Sequence, residues 1–146
     1  MLFYDYKHWD CSKDSSDPNN IGWVFEHPNN WVDSTYGNDL CPSAELYVPE
    51  YDVILHLSMD YPNIEDREMQ GCPRFIISMW TAWTDKDQNS PYYGEHEPCD
   101  VIQDYLLADD DLVALIDRLW SEEGDRLITE NIDTYNIEKQ INYWSI

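Results

Sequence analysis

Between Asp100 and Glu130 the chain carries ten acidic residues (Asp100, Asp104, Asp109, Asp110, Asp111, Asp117, Glu122, Glu123, Asp125 and Glu130) against Arg118 and Arg126. Threaded through the same stretch, Leu112, Leu115, Ile116 and Leu119 fall at i, i+3, i+4 and i+7, the spacing of one helix face. One side of such a helix must be buried, and the other is almost purely anionic. The rest of the chain therefore has to supply an apolar surface for the first side and tolerate the charge of the second.

It has the material to do so. At 146 residues, with 42% hydrophobic residues, seven Trp and eleven Tyr, the sequence predicts one globular domain, 1–146, with a sizeable core. Disorder needs high charge with few aromatics, and only the first condition is met. The net charge of −22 is the outlying quantity. Self-repulsion of that size costs stability, and solubility alone needs a net charge of only about 2–8 for a small domain. Such a surface repels nucleic acid and anionic membrane, which excludes both as direct partners. No basic and apolar leader opens the sequence, and no run approaches the roughly 18 apolar residues of a membrane span. A soluble, cytoplasmic protein is expected, with Cys11, Cys41, Cys72 and Cys99 as reduced thiols.

Two short strands are predicted at Leu2–Trp9 and Ile21–Glu26, with an irregular but packed segment over Trp31–Ser43. Tyr51–Met59 alternates with a period of two. Arg74–Thr84 is apolar on both faces, as in a central strand. Between them Asp60–Gly71 reads as a polar connection with a helical turn near Ile64–Met69. Asp85–Ser90 is a turn and Pro91–Glu97 a loop. From Pro98 the pattern reads as helix. A first helix carries Val101, Ile102, Tyr105 and Leu106. A second runs roughly Asp110–Glu122, capped by the aspartates before it and stopped at Gly124. A turn covers Asp125–Asn131, and a last helix, capped by Asp133 or Thr134, buries Ile137, Ile141 and Trp144. Strands first and helices after predict an α+β fold: an antiparallel sheet from the N-terminal two-thirds, with two to four helices from the C-terminal third on one face.

Motifs for chemistry are sparse. Two H-x-x-C pairs, His8–Cys11 and His96–Cys99, would together make a Cys2His2 zinc set, but structural zinc sites usually carry C-x2-C knuckles. Cys41-Pro42 and Cys72-Pro73 read as small buried residues beside turns. The aspartate run lacks the EF-hand order. No G-x-S-x-G, H-E-x-x-H, P-loop or G-x-G-x-x-G occurs. The sequence thus predicts a non-enzymatic protein without cofactor.

The charge itself is the remaining signal. Carboxylates at i, i+3 and i+4 on a helix sit about 5–6 Å apart, while duplex DNA shows one charge per roughly 3.4 Å along each strand. Asp100, Asp104, Asp109, Asp110, Asp111, Asp117, Glu122 and Asp125 can approximate a phosphate track, continued by Asp85, Asp87, Glu95, Glu97 and Glu130. In charge, size and aromatic content the chain is similar to two groups of proteins. One comprises the DNA-mimic inhibitors of phages and mobile elements, which block restriction enzymes, CRISPR effectors and other DNA-binding defence proteins. The other comprises the immunity proteins that neutralise nuclease toxins. The likeness implies an inhibitor that occupies the nucleic-acid-binding cleft of a basic protein, working in the host cytoplasm if phage-encoded. In the immunity-type alternative, exposed aromatics such as Tyr92, Tyr93 or Trp120 anchor the contact.

Overall fold

A computed structural model describes residues 31–34, 43–61 and 64–144. The strands expected at Leu2–Trp9 and Ile21–Glu26, and the first H-x-x-C pair, lie outside these residues.

The described chain forms a five-stranded antiparallel sheet followed by two helices, an α+β fold. The strands are β1 (Val32–Asp33), β2 (Ser43–Val48), β3 (Val53–Met59), β4 (Phe75–Thr84) and β5 (His96–Asp109), in the spatial order of the chain. The helices are α1 (Leu112–Leu119) and α2 (Glu122–Trp144). Rows such as Leu46–Leu55–Met79 and Ala44–Leu57–Ile77 cross β2, β3 and β4 on one face. Against that face pack Leu112, Leu115 and Leu119 of α1 and Ile128 of α2, all essentially inaccessible to solvent. The anionic helix thus buries the side that its 3.6-residue period marks. The opposite face carries Glu45, His56 and Ser78 in one row, with Tyr47, Ile54 and Trp80 in the next.

The strand expected at Tyr51–Met59 begins two residues later. Tyr51 belongs to the β2–β3 turn, where Asp52 takes a left-handed conformation (φ 54°) and accepts a hydrogen bond from the Tyr47 hydroxyl at 2.8 Å. The connection before β4 contains a 3-10 turn, Ile64–Asp66, as its sequence suggested. The segment read as irregular supplies β1 and the first residue of β2.

Three expectations for the C-terminal third are corrected. The helix expected over Val101–Ala108 is the long edge strand β5. Its 14 residues lie against only 10 of β4, and the register shifts three times, between Ile77 and Ala82. Each shift inserts extra residues into β5, so its apolar positions lose strict alternation and imitate helical spacing. Pro98, read as a helix start, sits opposite Ala82 on this edge strand, where a missing N–H is tolerated. The loop expected over Pro91–Glu97 correspondingly ends at His96, where β5 begins.

Gly124 does not stop a helix. It lies in the first turn of α2, and a Cβ placed there would come within 1.9 Å of the Leu119 carbonyl oxygen. Glycine is required because α1 and α2 meet at a tight elbow. Finally, α2 runs unbroken from Glu122, absorbing the predicted turn and the predicted caps Asp133 and Thr134. Its 23 residues span about 34 Å, and Ile137 and Ile141 are 57% and 58% exposed rather than buried.

Candidate functional site

The aspartate run at the end of β5 is built into the fold. Asp111 has extended backbone geometry and caps α1, its Oδ1 accepting from the Val113 and Ala114 amides at 3.0 and 3.4 Å. Asp109 accepts from the Asp111 amide at 2.8 Å and lies 3.5 Å from Arg118 Nη1. Asp110 Oδ1 accepts from the Arg74 amide at 2.9 Å and from Arg67 Nη1 at 3.1 Å. Arg67 is buried. It donates also to the carbonyls of Tyr61 and Cys72, at 3.0 and 3.1 Å. Arg74, buried beside it, donates from Nε to the Asp60 carbonyl at 3.0 Å and lies over the Phe75 ring. One polar hub therefore ties the connection before β4 to the start of α1.

A second cation joins β5 to both helices. Arg118 makes a two-pronged pair with Glu123, at 3.1 and 2.9 Å, and donates to the Ala108 carbonyl at 3.3 Å. The Arg118 hydrogen bond holds the Glu123 carboxyl below its ordinary value, and Glu123 in turn raises the Arg118 guanidinium.

Six of the eight Lys and Arg residues fall among the described residues. Arg67 and Arg74 are buried, and Arg118, though partly exposed, is held by Glu123, Asp109 and the Ala108 carbonyl. Arg126 pairs loosely with Glu130 at 3.9 Å. Lys86 is exposed, and Lys139 lies over the Tyr135 ring. The carboxylates are arranged the opposite way. Glu95, Glu97, Asp100 and Asp104 are all exposed along β5 and the turn before it, as are Asp117 on α1 and Glu122, Asp125 and Asp133 on α2. Asp104, Asp117, Glu122 and Asp133 have no hydrogen-bond or ion-pair partner among the described residues. Asp100 accepts from the Tyr135 hydroxyl at 3.3 Å, and Gln103 bonds Asn131 at 3.1 Å, so α2 lies alongside β5. Asp125 accepts from the Tyr51 hydroxyl, a bond that raises the phenol to about 12.

The predicted site residues therefore divide into two groups. Asp109, Asp110 and Asp111 hold the fold at one end of β5. Asp100, Asp104, Asp117, Glu122 and Asp125 present charge to solvent from β5, α1 and α2. The span from Asp100 to Asp109 is nine extended residues, at most about 30 Å, comparable to roughly nine base-pair steps of duplex DNA.

One feature found no signal in the sequence. A groove of about 790 Å³ runs beside β2, with Glu45 and Glu95 among mainly apolar and aromatic walls that include Tyr47, Ile54 and Trp120. The bulged β5 brings His96 onto Tyr47, with ring centroids 3.6 Å apart and planes 12° from parallel, while His96 Nδ1 lies 2.7 Å from Thr84 Oγ1. Burial, and secondarily the charge of Glu97, holds the Glu45 carboxyl above its ordinary value. The ring of His96, half of the second H-x-x-C pair, is thus engaged by Tyr47 and Thr84. Cys99 is an exposed free thiol, and Cys72 is half-buried. Among the described residues no group of three or more His, Cys, Asp or Glu side chains is arranged to hold a metal ion. No described helix is long and apolar enough to cross a membrane.

Comparison of the chain with protein-family profiles, characterised proteins and solved structures gives no match. What fold and surface define is an α+β domain in which, among the described residues, two arginines are buried and most carboxylates face out.

Proposed function

We propose that this protein is a non-enzymatic inhibitor that occupies the nucleic-acid-binding cleft of a basic protein, a nuclease or other DNA-binding defence effector, by presenting carboxylates in place of phosphates. The observation that carries this reading is the sorting of charge. Arg67, Arg74 and Arg118 are engaged by internal contacts, while Asp104, Asp117 and Glu122 stand exposed with no partner among the described residues. A field of this kind steers a cationic partner over long range without reading any base. Its mounting on a packed sheet and two helices limits the ordering cost of binding.

The aspartate run is unsuited to testing the idea, because neutralising it would remove a helix cap and the ligand of a buried arginine. The informative variant combines Asp104→Asn, Asp117→Asn and Glu122→Gln. Measured against a panel of restriction and CRISPR nucleases in a DNA-cleavage assay, the wild-type protein should inhibit at least one of them, be competed by duplex DNA and weaken with salt. The triple variant should keep its circular dichroism and melting temperature, lose about tenfold in affinity, and show a shallower salt dependence. Unchanged affinity in that variant would remove this surface from the interaction.

A second reading is favoured by the exposed aromatics. Tyr92, Tyr93 and Trp120 are 60%, 55% and 47% exposed, as anchors of an immunity-type contact with a nuclease toxin would be. There Tyr92→Ala with Tyr93→Ala should cost more affinity than the three neutralisations, and binding should survive high salt.

A further inference from the structure

The hairpin that joins β4 to β5 extends past β3. β3 follows β4 only as far as Thr81, opposite Val53, so Ala82–Thr84 and their partners Pro98, Glu97 and His96 form an arm. Its root is braced by the His96 ring on Tyr47 and by the contact of His96 with Thr84. Its tip, 85–95, is held by its own backbone. The Gly94 amide donates to the Asp85 carbonyl at 2.8 Å, with Gly94 in the left-handed region at φ 81°, and the Asp85 amide donates to the Glu95 carbonyl at 3.0 Å. Inside that closure the amides of Asp87, Asn89 and Tyr92 donate to the side chains of Asp85, Asp87 and Ser90 at 2.9, 3.0 and 3.1 Å.

This tip is ordered without burying its rings. Tyr92 and Tyr93 are 60% and 55% exposed, and neither belongs to the core. Neither hydroxyl has a hydrogen-bond partner among the described residues. Rings left out of the core are thus carried on a backbone that is already fixed, which lowers the ordering cost of any contact they make. Around them Asp85, Asp87, Glu95 and Glu97 outnumber Lys86.

We propose that Tyr92 and Tyr93 enter the site at which the basic partner stacks an unpaired nucleobase, while the carboxylates beside them take the places of neighbouring phosphates. This rests on the proposed reading of a nucleic-acid-binding partner, and adds mimicry of the ring to mimicry of the charge. Proteins that handle unpaired bases hold them on aromatic side chains or guanidinium planes within basic channels, and such stacking accepts any planar ring. Tyrosine offers that face with only two side-chain torsions to fix. A pocket for an aliphatic side chain would gain nothing from the acidic surround, whereas a channel built for bases and phosphates matches both.

The test uses the full chain and a nuclease that the wild-type protein inhibits. Tyr92→Phe with Tyr93→Phe keeps the rings and should bind as wild type. Tyr92→Leu with Tyr93→Leu keeps apolar bulk without rings. It should bind about tenfold more weakly, at unchanged salt dependence and melting temperature. A mixture of deoxynucleosides, which carry the rings without phosphate, should weaken wild-type binding and leave the leucine variant unaffected. Wild-type affinity in the leucine variant would overturn the proposal. So would an equal loss in the phenylalanine variant, or nucleosides that leave wild-type binding unchanged. The Asp104→Asn, Asp117→Asn, Glu122→Gln protein separates the two levels. If it binds weakly while the leucine variant binds as wild type, the base site alone falls. If no nuclease is inhibited, or inhibition ignores both salt and DNA, the nucleic-acid mimicry falls with it.

Discussion

Residues that look interchangeable in composition have opposite roles in this structure. Gly124 sits inside a helix, where replacing glycine by alanine normally gains about 1 kcal/mol of helix propensity. The Leu119 carbonyl 1.9 Å from the would-be Cβ reverses the sign. Gly124→Ala should destabilise by about 2–4 kcal/mol, read from the urea midpoint at unchanged m-value. Within the aspartate run, Asp111→Ala should cost about 1 kcal/mol through the lost cap. Asp110→Ala should cost more, about 1.5–3 kcal/mol, because buried Arg67 loses a charged acceptor. Equal losses from these two substitutions would show that the hub around Arg67 adds nothing beyond a surface contact. The capping role of this run was legible in the sequence, since aspartate before an apolar helical period has few other uses. The hub was not, because Arg67 and Asp110 are 43 residues apart and no local pattern joins them.

At the scale of elements, the strands that alternate cleanly could be read and the bulged one could not. β3 and β4 carry their apolar residues at period two, or on both faces, and the sequence marks them to within two residues. β5 slips register against β4 three times, so Val101, Ile102, Tyr105 and Leu106 fall into a helix-like spacing though the backbone is extended. The same limit applies to α2. Its apolar residues after Ile132 suggested a separate buried helix, yet Ile137 and Ile141 stand exposed. Ile128→Ala should therefore cost about 2–4 kcal/mol, whereas Ile137→Gln should stay within about 0.5 kcal/mol of wild type. Amide exchange should follow the same gradient, slow near Ile128 and faster beyond Ile137. A large loss at Ile137 would mean that the second half of α2 is covered in solution.

For the molecule as a whole, the charge that sequence composition announces becomes a dependence of stability on salt and pH. A net charge of −22 destabilises the compact state. Raising NaCl from about 0.02 to about 0.5 M shrinks the screening length well below the separation of most surface carboxylates. The melting temperature should rise by about 3–6 °C, since 1 kcal/mol corresponds to about 2–4 °C in a domain of this size. The short Arg118–Glu123 contact at 2.9 Å is screened less than the distant repulsions, so it opposes this trend only weakly. Acidification separates two carboxylates of opposite sign. Glu45 titrates above its ordinary 4.5 in the folded state. Its ionised form is thus disfavoured by folding, and protonating it as pH falls from neutrality toward 4.5 adds stability. Glu123 titrates below 4.5 when folded. Its contribution is present above 4.5 and is lost as pH falls through the lowered folded value. Stability should therefore increase from pH 7 into the mildly acidic range and decline again as pH falls below 4.5 toward the lowered Glu123 value. Glu45→Gln should raise the melting temperature at pH 7 and lose that advantage below pH 4.5, where wild-type Glu45 is itself protonated. Calorimetry across this range, on wild type and variant together, tests whether the repulsion around the β2 groove is a property of the folded protein. A variant indistinguishable from wild type at pH 7 would mean that Glu45 feels neither burial nor Glu97.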